Sequence, residues 1–140
     1  MHEEITARCN AIEGCYEFML AYAGKGITGD EGSASSGQVR DYLKRTVEAL
    51  SGLADAYAAA IKGENLEPTE SYQPFLAVLD RDARDSIAAI RMVLAQATLS
   101  SQMIDNLNAS SHLRALLTDL FLVDEILKPQ RTQAESATTR

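Results

Sequence analysis

Histidine and cysteine, the residues that most often build catalytic and metal sites, are scarce in this chain. Its 140 residues include two histidines, His2 and His112, and two cysteines, Cys9 and Cys15. A carboxylate-bridged metal centre in a helical protein needs Glu-x-x-His pairs, and the sequence contains none. It also lacks a phosphate-binding Gly-Lys-Ser/Thr loop and a nucleophile elbow. We therefore expect no metal, no cofactor and no catalytic residues.

Basic residues and long apolar runs are also in short supply. Thirteen lysines and arginines stand against 20 aspartates and glutamates, which gives a formal net charge of -7. Such a charge repels phosphate backbones and anionic lipid headgroups, so we expect neither nucleic acid nor a membrane as partner. No run reaches the roughly 18 apolar residues of a membrane span, and the N-terminus lacks the pattern of a secretion signal. These features predict a cytoplasmic protein.

Strand signals are missing too, since there are no alternating β-branched runs and no Asn-Gly or Asp-Gly hairpin turns. Apolar residues instead recur at steps of three and four, the period of a helix. The sequence therefore predicts an all-α fold, a four-helix bundle with antiparallel up-down-up-down order, because short connections favour antiparallel neighbours. The predicted helices span residues 3–25, 37–62, 70–97 and 100–128.

These four helices are expected to form a single domain over residues 1–128. Pro129 cannot continue a regular helix without losing a backbone hydrogen bond, so it is expected to end the last helix at Lys128. Residues 129–140 are polar and without periodicity, which predicts a disordered tail.

The fourth predicted helix has an irregular apolar pattern, because the apolar residues of its two halves point in roughly opposite directions. Either the helix breaks near Asn108–His112, where asparagine and serine compete for backbone hydrogen bonds, or it is continuous and covered on both faces. Phe121, Leu122 and Ile126 extend the apolar surface beyond one stripe, which favours the continuous helix and predicts an interface. At these residues we expect self-association as a dimer, a protein partner, or both.

The first predicted helix contains both cysteines. They are six residues apart, or about 9 Å along a helix axis, which is too far for a disulfide between them. They also point in different directions, so they cannot ligate one metal ion together. Cys9, Tyr16 and Met19 lie on the apolar stripe of this helix and are expected in the core.

A candidate groove lies beside that stripe, between the first and the fourth predicted helices. Aromatic side chains at the edge of an apolar stripe either complete the core or line a groove. The residues that the sequence proposes for the groove are Cys15, Phe18, Tyr22, Asn106 and His112. They would face a neighbouring helix, a second subunit or a ligand.

Three functional hypotheses follow from these patterns. The first is a non-catalytic cytoplasmic helical bundle that acts by protein–protein association, as an accessory, adaptor or regulatory factor. The alternative is a bundle that binds a small apolar or aromatic ligand in the candidate groove. The third is an enzyme whose site is assembled around His112 and the polar segment 105–108, which would require those side chains to converge.

Overall fold

Six helices make up the fold. The computed structural model describes residues 2–28, 34–64 and 69–138, and within these ranges the chain contains no strand. No helix in the same ranges combines the length and the apolar character needed to cross a bilayer. The helices are α1 (His2–Ala23), α2 (Ala34–Leu50), α3 (Leu53–Gly63), α4 (Thr69–Leu94), α5 (Ser101–Ala109) and α6 (Ser111–Thr138). The predicted all-α class is confirmed, with six helices in the described residues instead of four.

The core lies among all six helices. α1 packs mainly against α2 and also contacts α5 and α3, while α4 contacts α6, α3 and α2. All six helices contribute buried side chains to one apolar core. Tyr22 is completely buried within it, and its hydroxyl group donates a hydrogen bond to the carbonyl of Leu99 at 2.5 Å. This bond satisfies the polar end of a ring that otherwise contributes apolar packing.

The single helix predicted over residues 37–62 is wrong, because the chain turns at Ser51 and Gly52. Gly52 has a φ of 76° and a ψ of 14°, the left-handed conformation that glycine adopts without a Cβ penalty. Arg8 of α1 provides hydrogen bonds to backbone carbonyls at the end of α2. Its Nη1 donates to the carbonyls of Ala49 at 2.9 Å and Ser51 at 2.7 Å. The apolar spacing continues across this turn, which is why the pattern conceals it.

The fourth predicted helix is also divided, at Ser110. Ser110 has an extended backbone, and its hydroxyl accepts the N–H of Leu113 at 3.5 Å, as an N-cap of α6. Of the two alternatives drawn from the sequence, the break near Asn108–His112 is therefore correct and the continuous helix is wrong. The break allows Ile104 and Leu107 of α5 to be buried together with Leu113 of α6.

α6 is longer than the sequence predicts. It continues through Pro129 to Thr138, so neither the end at Lys128 nor a disordered segment over residues 129–138 is found. Proline lacks the N–H that would bond the carbonyl of Glu125, which removes one helical hydrogen bond without forcing the helix to end. Several of the following residues have high helix propensity, among them Gln130, Arg131 and Ala134. Residues 139 and 140 of the predicted tail lie outside the described residues.

Candidate interaction surface

The three predicted interface residues of α6 lie at the surface. Phe121 is 59% exposed, Leu122 is 52% exposed and Ile126 is 45% exposed. On the opposite side of the helix, Leu116 and Leu120 are fully buried. α6 therefore carries a core stripe and, separately, exposed apolar side chains of the kind that mark association sites.

Two residues of α1 extend this exposed apolar area. Tyr16 is 36% exposed and Leu20 is 50% exposed. Both line an open groove between α1, α5 and α6, together with Phe121, and the cavity volume of this groove is about 410 Å³. Its polar lining residues are Asp105, Asn108, Arg114 and Thr118. We use the name α1/α6 surface for five exposed residues of these two helices: Tyr16, Leu20 and Phe121, which line the groove, and Leu122 and Ile126, which lie farther around α6.

The exposure of Tyr16 corrects the sequence prediction, which places this ring in the core. The core prediction is right for Cys9 and Met19, which are 7% and 2% exposed. At 100° per residue Tyr16 points between Ile5 and Cys9, which are both buried, so its direction predicts the core. It is exposed because it lines the open groove between α1, α5 and α6. Leu20, an apolar residue outside the predicted stripe, is the signal that indicates this second surface.

The five residues proposed for a groove are not brought together. Their positions differ as follows: Cys15 and Tyr22 belong to the core at 1% and 0% exposure, whereas Asn106 and His112 are exposed. Phe18 is partly buried and stacks on Tyr42 of α2, with ring centroids 4.5 Å apart. The groove between α1, α5 and α6 is lined by other residues, chiefly Tyr16, Leu20 and Phe121.

A buried network joins α1, α3 and α6 beside the α1/α6 surface. The hydroxyl of Tyr57 donates to Oδ1 of Asp124 at 2.7 Å, and Sγ of Cys9 lies 3.3 Å from the same hydroxyl oxygen. Burial raises the pKa of the Cys9 thiol to about 11, and burial also raises the pKa of Tyr57. Both groups are neutral at pH 7, and a neutral thiol is a poor nucleophile. The network thus links three helices without providing a reactive cysteine.

Two carboxyl groups approach each other where α6 packs on α4. Burial of Asp119, together with the neighbouring carboxyl of Asp82, raises the pKa of Asp119 to about 7. Oδ2 of Asp119 is buried and has no hydrogen-bond partner among the described residues. An aspartate normally titrates near pH 4 and is therefore ionised at neutral pH. Asp119, in this contact between α6 and α4, instead gains or loses its proton near pH 7.

The side chains named by the enzyme hypothesis differ in exposure. Asp105 and His112 are exposed, whereas Asn108 is 6% exposed. Over the described ranges, no group of three histidine, cysteine, aspartate or glutamate side chains is placed to hold a metal ion. The arrangement found at this end of the molecule is an apolar groove with polar edges.

Comparisons with known proteins give no assignment. No protein-family model, no curated protein and no solved structure matches this chain. The features that bear on function are the exposed apolar residues, the charges beside them and the buried network.

Proposed function

We propose that this protein is a non-catalytic cytoplasmic helical bundle that acts by protein–protein association, as an accessory, adaptor or regulatory factor. The bundle consists of four packed segments, of which the second and the fourth are each broken once. One observation carries the proposal: the α1/α6 surface exposes five large apolar side chains, each between 36% and 59%. Two of the five, Tyr16 and Phe121, belong to the aromatic types that are enriched at interfaces. We propose that the associated state is a dimer.

The apolar contribution to such a dimer is of the same size as the cost of association. Complete burial of a large apolar side chain contributes about 1.5–3 kcal/mol, so burial of one that is already half-buried contributes about 1 kcal/mol. Five residues from each of two partners then contribute about 10 kcal/mol, while association itself costs about 4–15 kcal/mol. The apolar residues alone support a weak dimer. Polar contacts at the edge must therefore decide the affinity and the choice of partner.

Sedimentation velocity over a range from low to high micromolar concentration tests the proposal. The wild-type protein is expected to shift from monomer to dimer as its concentration rises. Leu122→Glu places a charge within the apolar contact, where burial without a partner is costly, and should raise the dissociation constant about 10-fold or more. Circular dichroism and urea unfolding of each variant would show whether the fold is retained.

Met92→Glu is the matched control for this substitution. Met92 lies on α4, is 66% exposed and is outside the α1/α6 surface, so the same change in charge should leave association unaltered. The proposal is wrong if the wild-type protein stays monomeric at every concentration, or if Leu122→Glu associates as strongly as Met92→Glu.

A further inference from the structure

The outer face of α6 carries opposite charges on either side of Phe121. At 100° per residue, Arg114, Thr118, Phe121 and Glu125 point within about 60° of one another. All four are exposed. Arg114 and Glu125 are about 16 Å apart along the helix axis, too far to pair with each other. Among the side chains that the structure describes, neither takes part in an ion pair.

This stripe is complementary to itself when a second copy runs antiparallel. In an antiparallel helix pair, moving one residue forward on one helix means moving one residue back on the other. If Arg114 lies opposite Glu125 of a second copy, Glu125 therefore lies opposite the second copy's Arg114, and Phe121 lies opposite its Thr118. In that register the two Phe121 residues are about 4.5 Å apart along the axis, within reach of an aromatic contact. A parallel pair would instead place like charges opposite each other.

The net charge of the chain makes this local complementarity necessary. Two copies of a protein with a net charge of -7 repel each other at long range. Apolar contacts alone do not fix which way the two copies face. Two ion pairs at the ends of one stripe supply both an attraction and an orientation.

We propose that the partner at the α1/α6 surface is a second copy of this chain, joined through antiparallel α6 helices. The Phe121 residues meet at the twofold axis, and an Arg114–Glu125 ion pair closes each end. Such an interface is isologous, so every contact occurs twice. Leu122 lies beside the stripe and loses exposure in the same contact, whereas Ile126 points about 80° beyond the edge of the stripe. This inference rests on the proposed function, since it names the partner and the register at the surface assigned there.

A charge-swap experiment by sedimentation velocity tests the register. Arg114→Glu and Glu125→Arg each convert two attractive contacts per dimer into two repulsive ones, and each should raise the dissociation constant about 10-fold. The double variant Arg114→Glu/Glu125→Arg restores both pairs with reversed polarity and should return to within about 3-fold of wild type. The differences should shrink in high salt, because exposed ion pairs are screened.

Controls with the same change in net charge separate local pairing from general repulsion. Arg81→Glu on α4 and Glu48→Arg on α2 are both at exposed positions outside the stripe, and should stay within about 2-fold of wild type. A double variant that is as weak as the single variants, or single variants that dimerise like wild type, would overturn this partner and register. Either outcome leaves the proposed function standing if Leu122→Glu still disrupts association. If the wild-type protein is monomeric, the proposed function fails first.

Discussion

Individual polar groups inside this fold differ in how well they are satisfied. Tyr57 has both a thiol and a carboxylate within hydrogen-bonding distance, whereas one carboxyl oxygen of Asp119 has no partner among the described residues. A buried polar atom without a partner is costly, and an ionised one more so. The Asp119 carboxyl reduces this cost by holding a proton, and this makes the packing of α6 on α4 sensitive to pH.

Asp119→Asn should remove this pH dependence. Because the pKa of Asp119 is raised to about 7, the folded protein binds a proton that the unfolded chain releases near pH 4. The stability contributed by that proton is complete below pH 4 and is lost as the pH rises through 7. The variant should therefore match wild type at or below pH 4, gain on it as the pH rises from 4 to 7, and exceed it at pH 8 by about 1 kcal/mol, after allowance for solvent screening of a partly exposed side chain.

Urea unfolding at pH 4, 5, 6, 7 and 8 measures this difference. Asp85→Asn removes the same charge from an exposed position on α4 and serves as the control. Parallel pH profiles for Asp119→Asn and wild type would show that the carboxyl of Asp119 titrates as an ordinary aspartate.

At the scale of the helix, the two breaks have different physical origins. The turn between α2 and α3 depends on a backbone conformation at Gly52, while the break between α5 and α6 is capped by the side chain of Ser110. A serine cap is favourable in most contexts, but a left-handed residue is favourable only for glycine. The first break therefore depends more strongly on one residue.

Gly52→Ala should destabilise the protein by about 1 kcal/mol. A Cβ at this position would meet only Nη2 of Arg8, at 3.9 Å, so the penalty comes from the positive φ of 76° and not from a clash. Gly37→Ala is the control with the opposite sign, because residue 37 is helical, has open space around it and should gain about 0.5–1 kcal/mol. Chemical denaturation would compare the two variants, and equal effects would contradict a role for the left-handed turn.

The same contrast explains how far the helices can be predicted from the sequence. α1 and α4 follow from apolar spacing, and their ends at Ala23 and Leu94 lie within three residues of the predicted ends. The conflict between two apolar directions indicates the Ser110 break only as one of two alternatives, and the apolar residues after it favour the other, the continuous helix. The Gly52 turn cannot be predicted in this way, because the apolar spacing continues on both sides of it. Apolar spacing does not report the φ angle of a single residue. The continuation of α6 past Pro129 is not predicted, because proline lacks the N–H of a regular helix and the segment after it has no apolar period.

For the candidate surface, the sequence identifies the part that belongs to one helix. Phe121, Leu122 and Ile126 stand out because they lie outside the core stripe of α6. The contribution of Tyr16 and Leu20 depends on the open groove that α5 and α6 leave beside α1, and that groove is a property of the packed molecule. The self-complementary charge pattern is present in the sequence. It indicates an interface only because Arg114, Phe121 and Glu125 are all exposed in the folded protein.

At the scale of the whole molecule, dimerisation should make stability depend on protein concentration. A dimer that dissociates on unfolding gains stability by mass action as its concentration rises, whereas a monomer does not. For a chain of 140 residues, each tenfold increase in concentration should raise the melting temperature by about 2 °C once the dimer predominates. Leu122→Glu should abolish this slope, and Met92→Glu should preserve it. Thermal unfolding by circular dichroism at several concentrations gives the slope, and a wild-type melting temperature independent of concentration would be incompatible with a dimer that stabilises the fold.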